Sequence, residues 1–340
     1  MIKMNFFESL PKIELHIHLE GAIPYDALFT LIKKYGGAPE IKQPQDLAEK
    51  FIYRDFSHFI QLWSWKNRFL REYEDFRFIA ERVARSLKNQ NVRYAEMFVS
   101  PSAFKSRGLS SAKIIEQVAA GFGAVSGIRI SLIVDLVRDY GADSGLTTLY
   151  EIEETKKYGV IGIGLGGSEG EFPPELFIDV FEKSRKMGFK TTVHAGEAAG
   201  AYSVKNAVEK LLPDRIGHGL RAADDENLLK RIAALKIPLE LCPISNIKTG
   251  SLGPSERYPL DKFIKSGIAF SINTDDPEMF GNSLAEEYSF IENELGYTRT
   301  QVCEFALDSI NTSWLPEDEK NSLKIEFSAE YSAMKSKFKI

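Results

Sequence analysis

The sequence predicts an α/β fold, a (β/α)8 TIM barrel with a helical insertion between its first two strands, and three observations carry that expectation. Short apolar runs rich in Val and Ile alternate with longer segments of helical period. Eight such runs occur, at 13–18, 92–99, 129–136, 160–165, 190–194, 214–218, 237–241 and 268–273. No Pro/Gly/Ser-rich linker divides them, so residues 1–340 read as a single barrel domain.

The first run, Ile13-Glu14-Leu15-His16-Ile17-His18-Leu19-Glu20, alternates strictly. With a strand period of two, Glu14, His16, His18 and Glu20 share one face and the aliphatic residues share the other, against the helices. The polar face then points into the barrel, where uncompensated charge costs several kcal/mol and calls for a partner such as a metal. A half-exposed antiparallel strand would show the same alternation, so the pair of histidines needs support from elsewhere in the chain.

Residues 24–90 are too long for an ordinary crossover, and Phe51 to Phe69 is aromatic-rich, which reads as packing more than as a lid. His58 in this stretch is assigned no role. The fourth run enters Gly162-Ile163-Gly164-Leu165-Gly166-Gly167, which satisfies G-x-G-x-x-G. A dinucleotide fingerprint should open directly into a helix, whereas Ser168 to Pro174 continues as an acidic loop, so these glycines are read as letting a flat ligand approach the backbone. Phe172-Pro173-Pro174-Glu175 opens a helix predicted to reach Lys186, with Gly188 just beyond it.

The fifth, sixth and eighth runs end in His194, His218 and the pair Asp275-Asp276. Parallel barrel strands finish at one rim, so these residues converge there although they are far apart in sequence. His16, His18, His194 and Asp275 form a ligand set that zinc accepts while leaving a position for water. Cys242, at the end of the seventh run, is read as structural.

Composition narrows the partners. The 340 residues are 44% hydrophobic and 27% charged, with a net charge of −5. That balance offers no footprint for nucleic acid and favours a small-molecule partner. The two cysteines cannot form a disulfide framework, and MIKMNFFESLPKIE lacks a secretory apolar stretch, so a cytoplasmic protein is expected. The run from Ile128 to Val137, interrupted by Arg129, Ser131 and Asp135, is far shorter than a membrane helix.

Four segments, Leu10-Pro-Lys-Ile-Glu-Leu-His-Ile-His-Leu-Glu-Gly21, His194-Ala-Gly-Glu197, Arg215-Ile-Gly-His-Gly219 and Asn273-Thr-Asp-Asp-Pro277, resemble the motifs of the adenosine deaminase family of the amidohydrolase superfamily, in the family's order. The resemblance implies one zinc on His16, His18, His194 and Asp275, in agreement with the set read from the strand ends. It further implies that Glu197 gives a proton to purine N1, that His218 deprotonates or orients the water, and that His18, Glu20, Gly167 and Asp276 line the substrate, with Asp276 at N7 and the Gly167 N–H at N3. Two-metal relatives usually place a modified lysine at the end of the fourth strand, which this chain lacks.

Two positions depart from the family's common pattern. Glu20 stands where Asp usually partners a ribose hydroxyl, and Gly164 to Glu169 replaces Asp-Leu-Ala-Gly-Asp-Glu. Glu20 is similar to relatives acting on adenine or 6-aminodeoxyfutalosine, and the Ser168-Glu169 pair is similar to adenine deaminases. His194 to Gly200 and Asn273 to Pro277 look more like nucleoside deaminases. The resulting expectation is deamination of adenosine or 2′-deoxyadenosine to the inosine and ammonia, with adenine or 6-aminodeoxyfutalosine as the alternative. A purine-binding sensor is disfavoured because Glu197 and His218 are both retained.

Overall fold

The alternating run folds as β1 (Lys12–His18), buried along its whole length. In the computed structural model, residues 5–338 are described. Residues 1–4, the head of the segment read as lacking a secretory stretch, and residues 339–340 lie outside the described residues. The other strands are β2 (Val92–Val99), β3 (Arg129–Val137), β4 (Val160–Gly166), β5 (Lys190–Ala195), β6 (Arg215–His218), β7 (Leu239–Leu241) and β8 (Phe270–Ile272). All eight predicted strands are present, and each pairs in parallel with the next.

The barrel closes through Asp275. The His18 N–H donates to the Asp275 carbonyl at 2.8 Å, and the Asp275 N–H donates to the His16 carbonyl at 3.0 Å. β7 begins two residues later than predicted because Pro238 has no N–H to give to the ladder.

Helix α1 (Phe6–Ser9) precedes β1, and α2 (Tyr25–Lys34), α3 (Asp46–Lys50), α4 (Phe56–Asn67) and α5 (Tyr73–Asn89) lie between β1 and β2. Later crossovers carry α6 (Ser111–Gly123), α7 (Gly141–Glu151) and α8 (Ile178–Lys186). The predicted helix at 172–186 begins later than expected, with Pro174–Phe177 forming a 3-10 turn first. The Phe172 carbonyl accepts from Arg138 Nη1 at 2.8 Å instead of from a helical N–H. No helix of the described residues is long and apolar enough to cross a membrane.

The barrel interior below the rim is charged yet satisfied. Arg215 Nε lies 2.6 Å from Glu240 and Nη2 lies 2.5 Å from Glu96, all fully buried. The guanidinium stacks 3.7 Å from the Trp314 ring centroid, and Tyr94 donates to Glu96 at 2.9 Å. Removing the cation strands two buried carboxylates, so Arg215→Ala is expected to cost about 3–5 kcal/mol of stability in urea unfolding. A loss below about 1 kcal/mol would show that the carboxylates are neutralised another way.

Candidate active site

Period-two alternation turns His16 and His18 inward from β1, and the ends of β5 and β8 bring His194 and Asp275 to meet them. Their ligand atoms lie within 4.8 Å of one another, and all four residues are buried. His18 Nε2 is 3.2 Å from His194 Nε2, and Asp275 Oδ1 is 3.5 Å from His16 Nε2 and 3.4 Å from His18 Nε2. His218 and Asp275 both adopt left-handed backbone, with φ of +58° and +70°. Such conformations cost about 1–3 kcal/mol in non-glycine residues and persist where surrounding structure enforces them.

Hydrogen bonds behind the rings fix where their lone pairs point. His16 Nδ1 meets Glu240 Oε2 at 2.7 Å and His194 Nδ1 meets the Leu165 carbonyl at 3.2 Å. Both Nδ1 atoms are thus engaged behind the rings, which turns His16 Nε2 toward Asp275 Oδ1 and His194 Nε2 toward His18 Nε2. Against the opposing effect of burial, Asp275 and Glu240 push the His16 ring up to about 10. His16 Nε2 has no hydrogen-bond partner at all. Ser245 Oγ holds Asp275 Oδ2 at 2.7 Å. Lone pairs and a carboxylate converging in a buried space fit a cation, and the set of nitrogens and one carboxylate oxygen suits zinc. Burial keeps His18 neutral, down to about 3, and burial also drives His194 well below its ordinary value, which leaves both able to ligate.

His218 differs from these three. Asn246 Nδ2 donates to its Nδ1 at 3.0 Å, so its proton sits on Nε2, 3.5 Å from Glu197 Oε2. Burial, reinforced by Asp275 and Glu169, pushes the Glu197 carboxyl well above the usual carboxylate range. Burial and the neighbouring Asp275 do the same for Asp276. Both therefore hold a proton near neutral pH and can donate it.

A cavity of about 220 Å³ opens over this cluster. It is lined by Glu197, Asp275 and Asp276, which follow β5 and β8, and by Ser100, Asp135, Gly166 and Gly167, from β2 to β4 and the residues after them. Phe56, Phe59, Ile60 and Trp63 of α4 form its mouth, while Phe51 and Phe69 pack in the core. The aromatic stretch thus packs and also borders the site. Glu20 is fully buried and absent from the cavity lining, its Oε1 held by the Ser100 N–H at 2.9 Å.

Cys242 is buried beside His16 and His218, and its thiol lies 3.6 Å from the Glu240 carbonyl. Burial pushes that thiol up, so it stays protonated, in line with a structural role. His58 accepts only the Arg54 N–H, at 3.2 Å.

Sequence reasoning missed several supporting residues. Glu169 accepts the N–H groups of Gly196, Glu197, Ala198 and Ala199 at 2.6–3.1 Å and so fastens the loop that carries Glu197. Gly21 leaves the space that Asp276 fills, since a Cβ there would lie 1.7 Å from Asp276 Oδ1. Gly164 accommodates Phe98, 2.6 Å from its virtual Cβ, while Gly166 and Gly167 border the cavity.

A family model described as adenosine deaminase matches residues 11–329. The chain is 32% identical to an aminodeoxyfutalosine deaminase of Streptomyces avermitilis, over 92% of this chain and 88% of that protein. It is also 32% identical to an adenine deaminase of Kluyveromyces lactis, over 95% of this chain and 94% of that one. Among solved structures, an amidohydrolase from Burkholderia ambifaria with bound Zn superposes with a TM-score of 0.89 at 27% identity, covering 99% of this chain and 96% of that one.

Proposed function

The chain belongs to the adenosine deaminase family, and from that premise we propose that it removes the 6-amino group of a non-phosphorylated 6-aminopurine by hydrolysis, with free adenine as the first candidate. The observation that carries this reading is the buried Glu197 carboxyl, pushed up by burial and lying 3.5 Å from His218 Nε2 at the edge of the four-residue ligand cluster. Among the described residues the cavity is lined by no Lys or Arg, so it offers no side-chain cation to hold a phosphate. Its volume is below the roughly 300–1,000 Å³ of clefts that enclose drug-sized ligands.

A zinc ion held by His16, His18, His194 and Asp275 would supply Lewis acidity that makes water nucleophilic near neutral pH. Glu197 gives its proton to N1, which draws electrons from C6 and opens that carbon to attack. The His218 Nε2–H orients the attacking oxygen. Asp276 donates to N7, and the Gly167 N–H reaches N3. The water oxygen first bonds to C6 as the C6–N1 π bond gives way, making that carbon tetrahedral, and the C6–N bond then breaks; one proton of the water leaves with ammonia and the other restores Glu197.

The adenosine expectation drawn from His194 to Gly200 and Asn273 to Pro277 gives way to adenine. Relatives at 32% identity are named for adenine and aminodeoxyfutalosine, and the small cavity favours a base. The aromatic mouth of α4 favours a second reading, a 6-aminopurine nucleoside with an apolar extension such as 6-aminodeoxyfutalosine.

Ammonia release from adenine, adenosine, 2′-deoxyadenosine, 6-aminodeoxyfutalosine and AMP distinguishes these. Adenine is expected to give the highest kcat/KM and AMP no turnover. A higher value for 6-aminodeoxyfutalosine selects the second reading, and activity on none of the five rejects the reaction.

A further inference from the structure

We propose that Asp135 is a specificity-determining residue that accepts the N9–H of a free purine base, an inference that rests on the deaminase reading above.

Asp135 comes from the inward face of β3 and is 4% exposed, yet it lines the cavity. Its Oδ1 has no hydrogen-bond partner, and Oδ2 is met only by Ser100 Oγ at 3.3 Å. An acceptor buried to this degree without a donor costs about 1–3 kcal/mol, so the site is built around a group that arrives from elsewhere.

The order of strands around the barrel says which group that is. Chemistry at C6 requires that carbon to sit among Glu197, His218 and Asp275, at the ends of β5, β6 and β8. In a purine the edge remote from C6 carries N3 and N9, so that edge faces the opposite wall. That wall is Ser100 after β2, Asp135 on β3 and Gly166 and Gly167 at the end of β4. The N–H of Gly167 suits N3, an acceptor. N9–H is a donor, and Asp135 Oδ1 is the unpartnered acceptor beside it. A virtual Cβ on Gly166 would lie 2.9 Å from Asp135 Oδ2 and 3.2 Å from Oδ1, so glycine there leaves the carboxylate its space. Glu20, expected from the sequence to line the substrate at the position of a ribose-hydroxyl partner, is held by the Ser100 N–H and does not line the cavity.

Steady-state kinetics on adenine and 9-methyladenine, with zinc content and circular dichroism recorded for each variant, test the assignment. Asp135→Ala is expected to lower kcat/KM for adenine by about 10- to 100-fold, the loss of one charged hydrogen bond, while leaving the value for 9-methyladenine unchanged or higher. Asp135→Asn keeps an acceptor oxygen and is expected to stay within about fivefold of the wild type on adenine. Equal losses on the two substrates, or no loss on adenine, would overturn the assignment while leaving the deaminase reading intact. A wild-type enzyme that deaminates a nucleoside but not adenine would overturn the free-base reading and this assignment together.

Discussion

Glu197→Gln is expected to lower kcat by about 10³-fold while the protein keeps one equivalent of metal, measured by ammonia release beside elemental analysis. Glutamine has the shape of the protonated carboxyl and can hydrogen-bond to N1, but it cannot transfer a proton. The effect should therefore fall on kcat and leave KM nearly unchanged. The backbone is protected from the change, because four N–H groups of the 196–199 loop are held by Glu169 and none by the Glu197 side chain. The four ligand residues are untouched, and the expected variant is a folded, metal-loaded protein that binds purine and turns it over slowly. Unchanged kcat would remove Glu197 from the chemistry and leave no proton-holding group beside His218.

The strands were legible because parallel barrel strands are buried on both faces and read as Val/Ile runs, and the first of the motifs was legible because a period of two separates its faces. The ends of β5, β6 and β8 were legible for a related reason, since polar residues closing an apolar run sit at a common rim. What escaped was everything that depends on contact across the barrel. Glu240 holds His16 from 224 positions away, and Ser245 holds Asp275 from a helix that follows a strand of only three residues. No spacing rule reaches that far.

One signal was nevertheless present. Asp135 and Glu240 each interrupt an apolar strand, and a carboxylate in such a run must be buried and paired. In the sequence the interruption at Asp135 served only to argue against a membrane helix. Read the other way, it marked a residue facing the barrel interior. Gly21 was equally visible and equally silent, because its necessity comes from the Asp276 side chain that fills its place.

Stripping the metal with a chelator is expected to abolish turnover, and one equivalent of zinc per chain is expected to restore it, with two equivalents overturning a one-ion site. In the emptied cluster His16 Nε2 lies 3.5 Å from Asp275 Oδ1 and His18 Nε2 lies 3.2 Å from His194 Nε2, so four buried polar groups are left to one another. Binding at a thousandfold excess over Kd contributes about 4 kcal/mol, and the melting temperature should fall accordingly on stripping. A second ion finds no independent donors among the described residues. The other two donor groups, His16 with His218 and Cys242, and Glu197 with His218 and Asp275, each reuse a residue of the first and each include His218, whose Nε2 carries its proton. The inward positions of β4 are Gly162, Gly164 and Gly166, which offer no ligand, and Phe98 fills the space beside Gly164. The β4 glycines, with Phe98 of β2 beside Gly164, thus stand where a residue bridging two ions would be needed.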